Sequence, residues 1–122
     1  IHESAYKVCI HGRGGNNPYP ALEQVESMRY VRDNNKDMKL DFDLYRDPEK
    51  LKTNLITGIY KTNIHRASKF KIVALIETYS AGCQVIQKVG DFDKLMALAD
   101  KQILHGHGDS FSYTLLEETD LK

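Results

Sequence analysis

The sequence predicts a mixed α+β fold, and three observations carry that expectation. Residues 38–44 alternate strictly, with Met38, Leu40, Phe42 and Leu44 on one side and Lys39, Asp41 and Asp43 on the other, as a strand with one buried face does. Asp47-Pro48 is a helix start: the aspartate can accept from a free first-turn N–H, and proline loses nothing there by lacking its own. The second half runs from a β-branched and aromatic segment at 70–79, through Ser80-Ala81-Gly82, into a shorter strand at 83–89, then a helix and a last strand. From residue 37 onward the order is strand, helix, strand, strand, helix, strand. That is the split βαβ, or ferredoxin-like, arrangement, with an N-terminal strand and helix added in front.

Each element has its own warrant. Tyr6, Val8 and Ile10 alternate with Lys7 and Cys9, predicting a first strand over 5–11, and the Gly, Asn and Pro cluster up to Pro20 is a loop. Pro20 can open a helix over 20–33, with Leu22, Val25, Met28 and Val31 spaced by three, although Met28, Tyr30 and Arg32 could equally begin a strand. After Asp47 a stripe of Leu51, Leu55, Ile56, Ile59 and Tyr60 predicts a helix over 47–60, which Gly58 weakens by up to about 1 kcal/mol relative to alanine. The 70–79 strand carries Phe70, Ile72, Ala74 and Ile76 on one face and Val73, Leu75 and Tyr79 on the other. Asp91 can cap a helix over 91–104 whose Leu95, Leu98, Ala99 and Leu104 face inward, and Gly106 and Gly108 stop it. Phe111, Tyr113 and Leu115 share one face of a final strand over 110–116.

With 122 residues, 41% of them apolar and 28% charged, the chain reads as a single domain over 1–122. A core of that size needs no disulfide or metal staple. Cys9 and Cys83 are far apart, fit neither a disulfide framework nor a zinc-ligand spacing, and read as reduced, buried, small apolar residues. The longest apolar run, residues 72–76, is far short of the roughly 20 residues that span a bilayer, and the N-terminus has no secretory pattern. The expectation is a soluble, cytoplasmic protein with no membrane partner.

Basic and acidic side chains balance, 17 against 17, which argues against a strongly basic nucleic-acid binder. Their distribution is uneven. Residues 51–71 hold Lys52, Lys61, Arg66, Lys69 and Lys71 and no acid, whereas residues 72–122 are acidic overall. Either the two segments neutralise each other in the fold, or the basic one steers a partner, and Lys61, Arg66 and Lys69 are then the candidate contacts to nucleic acid. The aromatic pairs by which RNA-recognition domains of this arrangement stack bases are missing, since the strand at 83–89 has no aromatic.

Catalytic signatures are weak. His105 and His107, with Asp109, form a close group of metal-ligand types, but the glycines between them describe a solvated helix stop rather than ligands held in place. His65 beside Arg66 could be a general base or phosphate contact; on a helix-to-strand loop it is expected to be exposed. Gly12-Arg13-Gly14-Gly15 after a strand could cradle an anion, or simply let the chain turn. Asp41 and Asp43 share a strand face and could hold a divalent cation, as exposed strand faces often carry such pairs without one. No nucleophile elbow, Walker A or zincin motif is present.

A mismatch within the predicted fold points to function. The most apolar segment, 70–79, would lie at a sheet edge with one face open, a liability that something should cover. The reading is a non-enzymatic protein-binding, inhibitor or regulatory module acting by surface complementarity, self-associating or docking another protein, with Val73, Leu75 and Tyr79 at the contact and no cofactor. Accessory proteins of phages and other mobile elements are often of this kind, which is an association and not a match of residues. Nucleic-acid binding through the basic segment 52–71 is the second reading, and a small enzyme or metal protein using His105 and His107 the third.

Overall fold

In a computed structural model, the described residues are 2–31, 35–37, 39, 46–75, 83–116 and 118–122. They form a mixed α+β fold. Strands β1 (His2–His11), β2 (Tyr19–Gln24), β3 (Met28–Val31), β4 (Leu55–Gly58), β5 (Asn63–Arg66), β6 (Gln84–Ile86) and β7 (Ser110–Leu115) accompany helices α1 (Pro48–Asn54) and α2 (Val89–Leu104). The larger sheet has five strands in the order β6-β5-β2-β1-β7; β3 and β4 make a separate pair.

β1 is the long strand, and its two halves do different work. Its C-terminal half pairs with β2, from Tyr6↔Gln24 to His11↔Tyr19, and its N-terminal half pairs with β7, from His2↔Leu115 to Lys7↔Ser110. Both pairings are antiparallel. β5 then joins β2 antiparallel through Leu22↔Ile64, and β6 adds parallel to β5 through His65↔Val85.

The split βαβ core expected from residue 37 is not confirmed. Residues 20–31, expected as a helix, are the strands β2 and β3, which bears out the alternative strand start at Met28. Ala21, Leu22 and Gln24 are the buried positions of β2, so its strand character is hidden behind a buried glutamine and an adjacent buried pair. Asp47 does cap α1, its Oδ1 accepting from the N–H groups of Glu49 (3.0 Å) and Lys50 (3.4 Å), but the helix stops at Asn54. There Asn54 donates back to the Lys50 carbonyl at 2.8 Å, and Leu55-Ile56-Thr57 pair with β3 instead of extending the helix. The segment around His65, expected as a loop, is β5. Residues 70–75, expected as a strand, carry no regular structure, while the 38–44 strand, apart from Lys39, and the 76–82 part of the hairpin lie outside the described residues.

The C-terminal half keeps its expected helix and final strand. α2 begins at Val89, with Lys88 at the cap position making no side-chain cap bond, so Asp91 sits in the first turn, where a negative charge favours the helix dipole. Phe92, Met96 and Ala99 are its buried positions and join Tyr6, Ala21, Leu22 and Met28 in the core. Among the described residues no helix is long and apolar enough to cross a membrane.

A buried glutamine joins the two sheets. Gln24 is 1% exposed at the end of β2. Its Nε2 donates to the carbonyls of Glu26 (2.7 Å) and Gly58 (3.0 Å); its Oε1 accepts from the Tyr30 hydroxyl (2.7 Å), the Tyr60 N–H (3.1 Å) and the Thr62 hydroxyl (3.3 Å). Tyr6 extends the network, donating to Gln84 Oε1 on β6 at 3.2 Å. A Cβ at Gly58 would meet the Tyr60 ring at 3.2 Å, a tight contact that the ring would have to relieve by a few tenths of an ångström.

Phe92 tests the packing of α2. It is fully buried and meets Tyr19 edge-on, the ring centroids 5.9 Å apart. Phe92→Ala is expected to cost about 3–5 kcal/mol in urea denaturation. A loss below about 1 kcal/mol would show that α2 does not close the core.

Candidate functional site

The structure scatters the predicted contacts along one stretch of chain. Arg66 lies in β5, Lys61 just before it, and Lys69 with Val73 and Leu75 just after; Tyr79 lies outside the described residues. Residues 67–75 run beside β6, the edge strand of the large sheet. Ala67 N–H donates to the Ile86 carbonyl at 3.1 Å, and Val73 N–H approaches the Gln87 carbonyl at 3.5 Å. A cavity of about 200 Å³ opens there between Val73, Leu75, Ala67 and Val85.

This stretch turns its large apolar side chains to solvent. Phe70 is 89% exposed, Ile72 62% and Leu75 67%, while Val73 is half-buried against the edge. Lys69 and Lys71 alternate with them, and Lys69 Nζ sits 5.7 Å from the centre of the Phe70 ring. The result is an apolar patch with a basic fringe.

Two of the three predicted basic contacts are engaged within the protein. Lys61 pairs with Glu23 at 3.7 Å, and the Arg66 guanidinium lies 3.8 Å above the centre of the Tyr19 ring. Among the described residues neither forms an ion pair with an acid of the C-terminal half. The expected neutralisation between basic and acidic segments is replaced, for these two groups, by contacts to β2.

The cluster that sequence reasoning missed surrounds His65, which is 4% exposed rather than on an open loop. Its ring stacks on that of His11, centroids 4.3 Å apart and planes 14° from parallel. β2 runs between their strands, and fully buried Ala21, opposite Cys9 and next in register to His65, is small enough for the rings to meet over it. His65 Nδ1 must carry the hydrogen it gives to the Arg66 carbonyl at 2.9 Å, because a carbonyl only accepts. Asn63 Nδ2 donates to His11 Nδ1 at 2.7 Å, and the Asn63 N–H to the Cys83 thiol at 3.3 Å. Within 63–66 only Ile64 is apolar, so no hydrophobic alternation marks this strand in the sequence.

This cluster is built for packing rather than for nucleophilic chemistry. Burial and the nearby Glu23 carboxylate push the Cys9 thiol up, the opposite of an activated thiolate. Burial, reinforced by His65, pushes His11 below the ordinary histidine value. His105 and His107 sit exposed beyond α2, where Gly106 and Gly108 take left-handed φ of 77° and 90°. Among the described residues no three metal-ligating side chains come together. The Gly12-Arg13-Gly14-Gly15 loop closes the β1–β2 hairpin, Gly15 N–H to Gly12 carbonyl at 2.9 Å, and leads into a strand rather than the helix a phosphate cradle uses. Asp41 and Asp43 lie outside the described residues.

No family model matches the chain, and no curated protein or solved structure is significantly similar to it.

The stacked pair makes stability pH-dependent. Because His11 is depressed in the fold, the unfolded chain takes up its proton first, so stability is full above the ordinary histidine range and falls as pH drops through it. The Tm is expected to fall by a few degrees between pH 7.5 and 5.5, and His11→Phe, which keeps a ring on His65, should flatten that slope. An unchanged slope in His11→Phe would assign the acid sensitivity elsewhere.

Proposed function

We propose that this chain is a non-enzymatic binding module, an inhibitor or regulator, that docks a protein partner through residues 69–75 beside the β6 edge. The observation that carries this reading is the exposure of Phe70, Ile72 and Leu75 within six residues. Scattered single apolar side chains are normal on a surface, but three large ones together, fringed by lysines, are what a binding face presents. Val73 and Leu75, chosen from the sequence alone, belong to this stretch. The partner surface is apolar with acidic groups placed for Lys69 and Lys71; a second copy of the chain is the self-associating form of the same reading.

The basic segment supports nucleic-acid contact less well. Arg66 is stacked on Tyr19 and Lys61 is paired with Glu23, so both would have to leave those partners to reach phosphates.

The test is a double variant, Phe70→Lys with Leu75→Lys. Both side chains are exposed, so stability should stay within about 0.5 kcal/mol of the parent. The parent should elute above monomer size or retain a protein from nuclease-treated lysate, and the double variant should lose that association by tenfold or more. Association that is unchanged in the double variant, or that disappears from the parent on nuclease treatment, would refute the reading.

A further inference from the structure

α2 packs against β5 and β6, and a cavity of about 230 Å³ opens between it and the sheet, lined on the sheet side by residues of β1, β2, β5 and β7. Leu22 and Ile64 stand on the sheet side of this space, Tyr6, Phe111 and Tyr113 line it with aromatic rings, and Ala99 faces it from the helix. Leu98, also lining it, is 63% exposed, an apolar side chain left in water at the lip. The space is half open to solvent at that lip, a groove between the helix and its own sheet.

The lining restricts what would fit. None of its side chains is charged, so the occupant is neutral. A closed, dry cavity of about 150 Å³ lined by aliphatic and aromatic side chains holds benzene, and this open-sided groove of about 230 Å³ has the volume for one or two rings. The polar contact is set by Gln102. Its Nε2 gives both hydrogens away, to the Gly108 carbonyl at 3.3 Å and the Ser110 carbonyl at 3.0 Å, so the atom left for a ligand is the acceptor Oε1. The Tyr6 hydroxyl, at the other end, is already bonded to Gln84.

We infer that the gap between α2 and the β1–β7 side of the sheet is a binding site for a small neutral aromatic molecule of one or two rings carrying one hydrogen-bond donor. The site is separate from the 69–75 patch and stands whether or not that patch docks a protein. The aromatic walls supply edge and face contacts to the ring, and Gln102 Oε1 takes its N–H or O–H.

Indole is the probe that tests it, with indole-3-carboxylate as the charged counterpart, titrated into the full chain by calorimetry and by ligand-observed NMR. Indole should bind one to one, and the carboxylate at least tenfold more weakly. Ala99→Leu fills the space and should weaken indole at least tenfold while raising the Tm. Leu98→Glu, a surface change at the lip, should also weaken it at least tenfold and keeps the test valid if Ala99→Leu fails to fold. Absence of indole binding at millimolar concentration, equal binding of the carboxylate, or binding unchanged in either folded variant would overturn the inference and leave the cavity a packing gap.

Discussion

The fold depends on one buried amide. Gln24 ends the central strand of the larger sheet, and its side chain is the place where that sheet, the β3–β4 pair and the 59–62 connection meet. A buried primary amide costs free energy unless its hydrogens and its oxygen are all matched. Here both hydrogens go to backbone carbonyls and the oxygen receives two hydroxyls and one N–H. Fully matched, such a group specifies one arrangement, because any slip of β3 or β4 against β2 would strand several polar atoms at once.

The positions of the candidate contact residues follow from that knot. Fixing Gly58 and Tyr60 beside Gln24 forces the chain through Lys61 with a left-handed φ of 56° before β5 can start, an uncommon conformation for a side chain other than glycine. β5 then delivers His65 against His11 and Arg66 over Tyr19. The chain leaves β5 at the sheet edge, where residues 67–75 pass β6 with their apolar side chains outward. The apolar gap beside α2 is lined by the rings of Phe111 and Tyr113, which are half-buried against the core.

How much of this the sequence reveals depends on whether local pattern or distant partners decide each element. β1, β7 and the extent and stop of α2 are read correctly because period and turn signals agree, but the inward face of α2 is not: Ala99 is buried and Leu95 packs against the core, whereas Leu98 and Leu104 are exposed and Phe92 and Met96 fill the core instead. The Asp47 cap is local chemistry and is read correctly too. The segment 20–31 is misread because Gln24, a polar residue, occupies an inward strand position, and only its five partners, three of them more than thirty residues away, make that position tolerable. β5 is misread for the same kind of reason, since His65 is buried by stacking on a residue far away in sequence. Of the candidate contacts, the exposed 69–75 patch is visible as an apolar stretch needing cover. The absence of a strand there is not, because β propensity is a statement about packing partners that this stretch does not find.

The stability of Gln24→Met, measured by urea denaturation against the parent, tests the central claim most directly. Methionine fills much the same volume and forms none of the amide bonds, so the Gly58 and Glu26 carbonyls and the Tyr60 N–H lose their partner in the interior. The account predicts a loss of about 3 kcal/mol or more, since each buried group left unmatched costs about 1–3 kcal/mol. A loss under about 1 kcal/mol would contradict it, and would mean that apolar packing alone holds the two sheets together.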